Sequence, residues 1–175
     1  MELSKYIACI CEGSAEQAIV ELLLNNDKLI FTYDDLLDGE VIRSRSAKNF
    51  EERYLRKGFT EKITVLRILD SRRENFCLSK AYAPKINVIN IITAPEIEML
   101  VIFNENKYTE YKKSNMKPSE FCKAVMGYHN IKSIEFIRKY FYNTDFLVSA
   151  IREYKRMSAI HRREYTLWLF AESCG

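Results

Sequence analysis

Histidine is scarce in this chain. It has two, His129 and His161, and neither has a cysteine or a second histidine at ligand spacing, so a histidine-based zinc centre is not indicated. Long apolar runs are missing as well. None approaches the roughly 20 residues that a bilayer demands, so no membrane partner is expected. The opening stretch, MELSKYIACICEG, carries Glu2 early and lacks the layout of a signal peptide. The chain therefore reads as cytosolic. There is no glycine loop of the P-loop type, so any ATP hydrolysis tied to this protein must come from another chain. Internal repeats and low-complexity tracts are absent too. Nor does one sign of charge dominate: the net charge is +3, with a pI of about 8.5. That excess permits nucleic acid as a partner without arguing for it.

Five cysteines (Cys9, Cys11, Cys77, Cys122, Cys174) form an odd, scattered set. Cys9 and Cys11 share one face of an expected strand, but two thiols alone make no zinc site, and reduced, buried thiols are the plain reading. The length, 175 residues, suits one domain with room for an appendage. With 47% hydrophobic and 29% charged residues, a sizeable core is affordable and disorder is not indicated.

The first hundred residues alternate between strand and helix patterns. Lys5–Cys11 (KYIACIC), Ile63–Leu69 (ITVLRIL) and Ile86–Ile92 (INVINII) are nearly continuous apolar runs, as expected of strands covered on both faces. Lys28–Phe31 is a shorter strand candidate. After Glu12-Gly13, the stretch Ser14-Ala15-Glu16-Gln17 has the form of a capping box, followed by an apolar face of Ala15, Ala18, Ile19, Leu22 and Leu23. Ala47–Gly58 reads as a helix closed by Gly58, Asn75–Tyr82 as a short helix, and Glu96–Phe103 as a helix with Pro95 at its start. This order predicts an α/β domain with a parallel sheet over residues 1–115. The polar stretch NKYTEYKKSN, Asn106 to Asn115, is the best linker candidate. Residues 116–175 form a helical extension: Pro118–Met126, Ile131–Phe141, Asp145–Met157 and Arg163–Glu172.

Acids stand at the strand exits. Glu12 ends the first strong strand, Asp70 the second, and Glu96 and Glu98 lie just beyond the third. In open α/β sheets ligands bind outside the carboxyl ends of the strands. Carboxylates gathered there repel one another unless a cation neutralises them, and Mg²⁺ or Mn²⁺ suits such oxygen donors. An ion so held can activate water and stabilise charge on a phosphodiester. Each acid also has a plainer reading. Glu12 can serve the start of the next helix, Asp70 can cap the segment after it, Glu96 suits the positive end of its own helix, and Glu16, one turn past Glu12, can be solvated or support the others. Arg72 and Arg73 can hold a phosphate or stabilise developing charge, or can neutralise the acids without metal.

The helical half is rich in aromatics and cations. Arginine beside aromatic rings can bind RNA through phosphates and stacked bases. Helical spacing offers another account, with Ile134, Ile137, Phe141 and Phe146, Ala150, Tyr154 as core stripes and the cations on the wet face. The basic run Arg152, Lys155, Arg156, Arg162 and Arg163 is the better candidate for a phosphate-facing surface.

Three stretches carry a family resemblance. ICEGSAE resembles the strand-Glu-Gly motif that opens TOPRIM domains, notably those of RloB-like and OLD-like proteins. VLRILDSRRE resembles the strand bearing the TOPRIM aspartates, and ITAPEIEMLVIF is similar to the RloB-type helix. They occur in the family's order over roughly residues 5–104. The resemblance implies a compact Rossmann-like TOPRIM fold and a Mg²⁺-dependent nuclease acting on DNA or RNA, tRNA included, in bacterial defence against phage. It also allows an effector subunit held by a separate ATPase. Residue by residue, Glu12, Asp70 and Glu98 match the acids of the three motifs, and Glu16 resembles the second, following glutamate. Two positions depart from the pattern. The usual Asp-any-Asp pair reads Asp70-Ser71-Arg72, and the histidine often found after the third motif is Asn104. The missing aspartate leaves three readings open: a single ion, a partner that completes the site, or a catalytically silent module that binds nucleic acid or a protein.

Overall fold

Three apolar runs build the centre of the molecule; the first two are buried along nearly their whole length, whereas the third, at the edge of the sheet, leaves Asn87 and Asn90 exposed rather than covered on both faces. In a computed structural model the runs form β1 (Tyr6–Cys11), β3 (Ile63–Leu69) and β4 (Ile86–Ile92). A two-residue strand, β2 (Ile42–Arg43), completes a four-stranded, all-parallel sheet in the order β2-β1-β3-β4. The structure describes residues 3–44, 46–56, 61–71, 75–93, 96–157 and 165–167. Arg72, Arg73, Arg162 and Arg163 lie outside them, as do Gly58 and most of the expected helix Arg163–Glu172.

Side chains alternate across the sheet, so each strand serves two layers. Ile7, Cys9, Cys11, Leu66, Ile68, Ile89 and Ile91 belong to the larger layer. It is covered by α1 (Ser14–Asn25), α3 (Glu96–Asn104), α5 (Pro118–Ala124), α6 (Ile134–Tyr140) and α7 (Thr144–Met157). Ala8, Ile10, Ile42, Ile63 and Val65 face the other way, onto Phe50, Tyr54 and Leu55. Those three come from α2 (Ala47–Phe50) and the wider π-type turn that continues it through Leu55. The helical extension thus shares the sheet's core. Phe121, Ile137, Phe141, Leu147 and Ile151 are all fully buried there, and each such side chain contributes about 1.5–3 kcal/mol by leaving water.

Several local expectations differ from what is observed. Lys28–Phe31 forms no strand; the edge position goes to β2, inside a stretch with no clear sequence pattern. Ser14 is the first helical residue rather than the cap. Gly13 takes the cap position, with no side-chain bond to the helix start. Asn75–Tyr82 is not helical, because its apolar residues Phe76, Leu78 and Tyr82 lie over the smaller layer as a covering strap. The supposed linker contains α4 (Tyr108–Ser114), stopped by Asn115 in the left-handed conformation at φ 54°. Its tyrosines supply the reason: Tyr108 stacks on Phe103 and Tyr111 meets Phe121 edge-on. Among the described residues no helix is long and apolar enough to cross a membrane.

Candidate functional site

The strand order fixes where a site belongs. After β1 the chain moves to one side of the sheet, and after β3 to the other. The crevice between the carboxyl ends of β1 and β3 is therefore the topological switch point of this sheet. Glu12 and Asp70 are the residues that leave those two strands. The Glu12 backbone N–H donates to the Ile68 carbonyl at 3.1 Å, so the two exits lie side by side. Thr93 fastens the end of β4 to the same place. Its N–H and its hydroxyl both donate to the Leu69 carbonyl, at 2.7 and 2.9 Å. β4 thus ends beside the exit of β3, and Glu98 lies in the first turn of α3, which begins at Glu96.

Burial separates the acids. Asp70 is exposed, while Glu12, Glu16 and Glu98 keep only 9%, 3% and 8% of their surface. Glu16 is the most confined and is not the solvated side chain that its spacing allowed. A helix start favours a carboxylate by about 0.3–1 kcal/mol, whereas taking one out of water costs several kcal/mol. Burial wins: the Glu16 carboxyl is held above its usual range, with its own backbone N–H pulling the other way. The negative charges of Asp70 and Glu98 push it up further, and Lys132 opposes them. Asp70 and Glu98, remote from Glu16 in sequence, thus both come near enough to act on it.

Gly13 makes room for this arrangement. Its backbone (φ −113°) is open to any residue, so the requirement is space rather than conformation. A Cβ at position 13 would collide with Glu16 Oε2. The acid-glycine pair ending β1 thus lets the Glu16 carboxylate fold back over the helix start toward the strand exits.

Glu98 is held from two sides. Its carbonyl accepts a weak bond from the Cys122 thiol at 3.7 Å, tying α3 to α5. Burial raises that thiol to about 12, so it is inert as a nucleophile at neutral pH. The Lys132 ammonium stands 3.5 Å from Glu98 Oε1 and is about half exposed, a weak pairing. Glu98 Oε2 is buried with no hydrogen-bond partner among the described residues. Oxygen donors of this kind fit a hard divalent cation. Among the described residues, no three His, Cys, Asp or Glu side chains are already gathered into a metal cage.

The remaining candidates lie elsewhere or beyond description. Glu96 opens α3, and Arg72 and Arg73 follow Asp70 outside the described residues. Arg152, Lys155 and Arg156 are exposed on α7, with Arg156 bonded to Glu153 at 2.7 Å. Tyr154, beside them, packs edge-on against Phe103 in the last turn of α3, more than a helical turn past Glu98. Asn104 is not at the acids. It donates to the Tyr140 hydroxyl at 3.0 Å, and that hydroxyl donates to Glu105 at 2.7 Å. Sequence reasoning did not find Lys132. A lone lysine in a loop 34 residues past Glu98 carries no signal until the fold brings it back. Comparison with family models, with curated proteins and with solved structures finds no match to this chain.

Proposed function

We propose that this protein is a divalent-cation-dependent phosphodiesterase of TOPRIM-like type, acting on DNA or RNA at the switch point between β1 and β3. One observation carries the reading. The buried Glu16 carboxyl, at the start of the helix that follows β1, feels the negative charges of Asp70, at the exit of β3, and of Glu98, in α3, beside the switch point where an open α/β sheet binds its ligands. Such a set costs free energy to assemble without a cation, and oxygen donors select Mg²⁺ or Mn²⁺. Asp70 and Glu98, with Glu12 and Glu16 beside them, are the residues that would hold the ion. When bound, it would supply a Lewis acid for the phosphodiester and a more acidic water. Lys132 offers a positive charge at the rim, and Arg72 or Arg73 would contact the scissile phosphate. The resemblance of the three motifs extends the proposal to a role in anti-phage defence alongside a separate ATPase chain.

The test is cleavage of labelled single-stranded DNA, duplex DNA and tRNA with Mg²⁺, Mn²⁺ or chelator. Glu12→Gln, Asp70→Asn and Glu98→Gln should each reduce metal-dependent cleavage at least a hundredfold, a loss of about 2.7 kcal/mol of transition-state stabilisation, while the fold survives. Undiminished cleavage by Glu12→Gln and Asp70→Asn would contradict the assignment.

A second reading is a silent binding module. Lys132 favours it, because an ammonium already faces Glu98 where a metal would otherwise balance the charge. Such a module would bind nucleic acid equally well with chelator and cleave none of the substrates.

A further inference from the structure

Next to Glu98 and Lys132 lies a cavity of about 270 Å³ between α5 and the loop that enters α6. Its character is opposite to that of the acid cluster. Lys123 reaches it from α5, and His129, Asn130 and Lys132 from the loop, with Tyr128 as a wall and Glu98 at its border. Lys123, His129, Asn130 and Lys132 are exposed to solvent and all carry N–H donors. The one carboxylate at the border, Glu98, has the Lys132 ammonium 3.5 Å from its Oε1.

The wall is fixed in place. The Tyr128 hydroxyl donates to Glu105 Oε1 at 2.9 Å, and its ring meets Phe136 and Tyr140 edge-on with centroids 5.6 Å away in each case. Glu105 also accepts from the Tyr140 hydroxyl, so α3, α6 and the loop are joined through one carboxylate. The cations next to Tyr128 are therefore presented on an anchored loop. An ammonium on such a support loses less freedom on binding than one on a free surface.

We infer that this cavity is a phosphate subsite for a nucleic-acid strand whose neighbouring phosphodiester lies at the acid cluster. The inference rests on the phosphodiesterase reading and deepens it. Lys123 and Lys132 neutralise a phosphate adjoining the reacting one, and Asn130 and His129 donate to its oxygens. Lys132 has two roles in turn: it faces Glu98 while the crevice is empty and faces the strand when substrate arrives. Phosphate contacts of this kind set position and carry no sequence preference.

The test is fluorescence anisotropy of a labelled single-stranded oligonucleotide with the full chain in chelator, over a range of salt. Binding without cleavage is read, so the result does not depend on catalysis. Lys123→Ala and Lys132→Ala should each weaken binding roughly three- to tenfold at low salt and lower the salt slope by about 0.7. Lys123→Arg should keep both, and Lys139→Ala, on α6 away from the cavity, should change neither. A dinucleotide should compete better than inorganic phosphate. The inference is overturned if wild type does not bind, if the double variant Lys123→Ala/Lys132→Ala binds like wild type, or if Lys139→Ala weakens binding as much. Inorganic phosphate competing as well as the dinucleotide would overturn the strand as its ligand. Lysine-dependent binding without metal-dependent cleavage would leave this subsite standing and remove the phosphodiesterase reading.

Discussion

At the scale of single residues, Glu16 and Gly13 form one unit. The Glu16 carboxyl titrates above its usual value near 4.5 because burial disfavours its charge. Below that pH both folded and unfolded chains are protonated and the group costs nothing. As pH climbs past it, the unfolded chain ionises first, and the folded state loses stability until its own carboxyl ionises. Glu16→Gln should therefore raise the melting temperature of the metal-free protein at pH 7, with the gain vanishing near pH 4; an equal gain at both values would refute the ionisation account. Gly13→Ala pushes on the far end of a flexible side chain, so it should leave the melting temperature within a few degrees of wild type. It should nonetheless weaken divalent-ion binding several-fold in a calorimetric titration, since it displaces Glu16 Oε2. Neither effect was legible in the sequence, where Ser14-Ala15-Glu16-Gln17 resembled a capping motif. Burial of Glu16 comes with the packing of α1 on β1 and α6, and its proximity to Asp70 and Glu98 is not held in a one-dimensional pattern. Arg67 makes the same point. It sits inside an apolar strand run, yet it is buried with its guanidinium 4.6 Å from the Phe76 ring and bonded to Asn90 at 3.4 Å.

At the scale of elements, legibility follows length and apolarity. The spans read for β3 and β4 are those observed, and β1 differs by one residue, because continuous apolar runs admit few other structures. β2 has two residues and gives no periodic signal. α4 resembles a linker in sequence because its surface is polar and its apolar contacts come from tyrosines. Among the core stripes, Ile137, Phe141, Ala150 and Tyr154 are buried as spaced, whereas Ile134 and Phe146 stay exposed at the first turns of their helices. Junctions between helices are where polar side chains decide the packing. Tyr140→Phe removes the hydroxyl that links Asn104 to Glu105 and should cost about 1 kcal/mol in urea denaturation. A change below a few tenths of a kcal/mol would show that this network does not hold α6 to α3.

At the scale of the whole molecule, one sheet sets both halves of the account. Its all-parallel order was legible as a strand-helix alternation, and its switch point places acids that are remote in sequence at adjoining exits. The cationic cavity joins them only because the helical extension folds back across α3, which no motif in residues 116–175 announces. The central claim is that these carboxylates share one divalent cation. An ion at about 100 times its Kd would add about 2.7 kcal/mol to stability, so the claim can be read without any substrate. The most direct measurement is an isothermal titration of Mn²⁺ into wild type, Asp70→Asn and Glu98→Gln. The account predicts saturable binding by wild type that each substitution weakens at least tenfold. Absence of binding by wild type, or the same affinity in all three proteins, would contradict it.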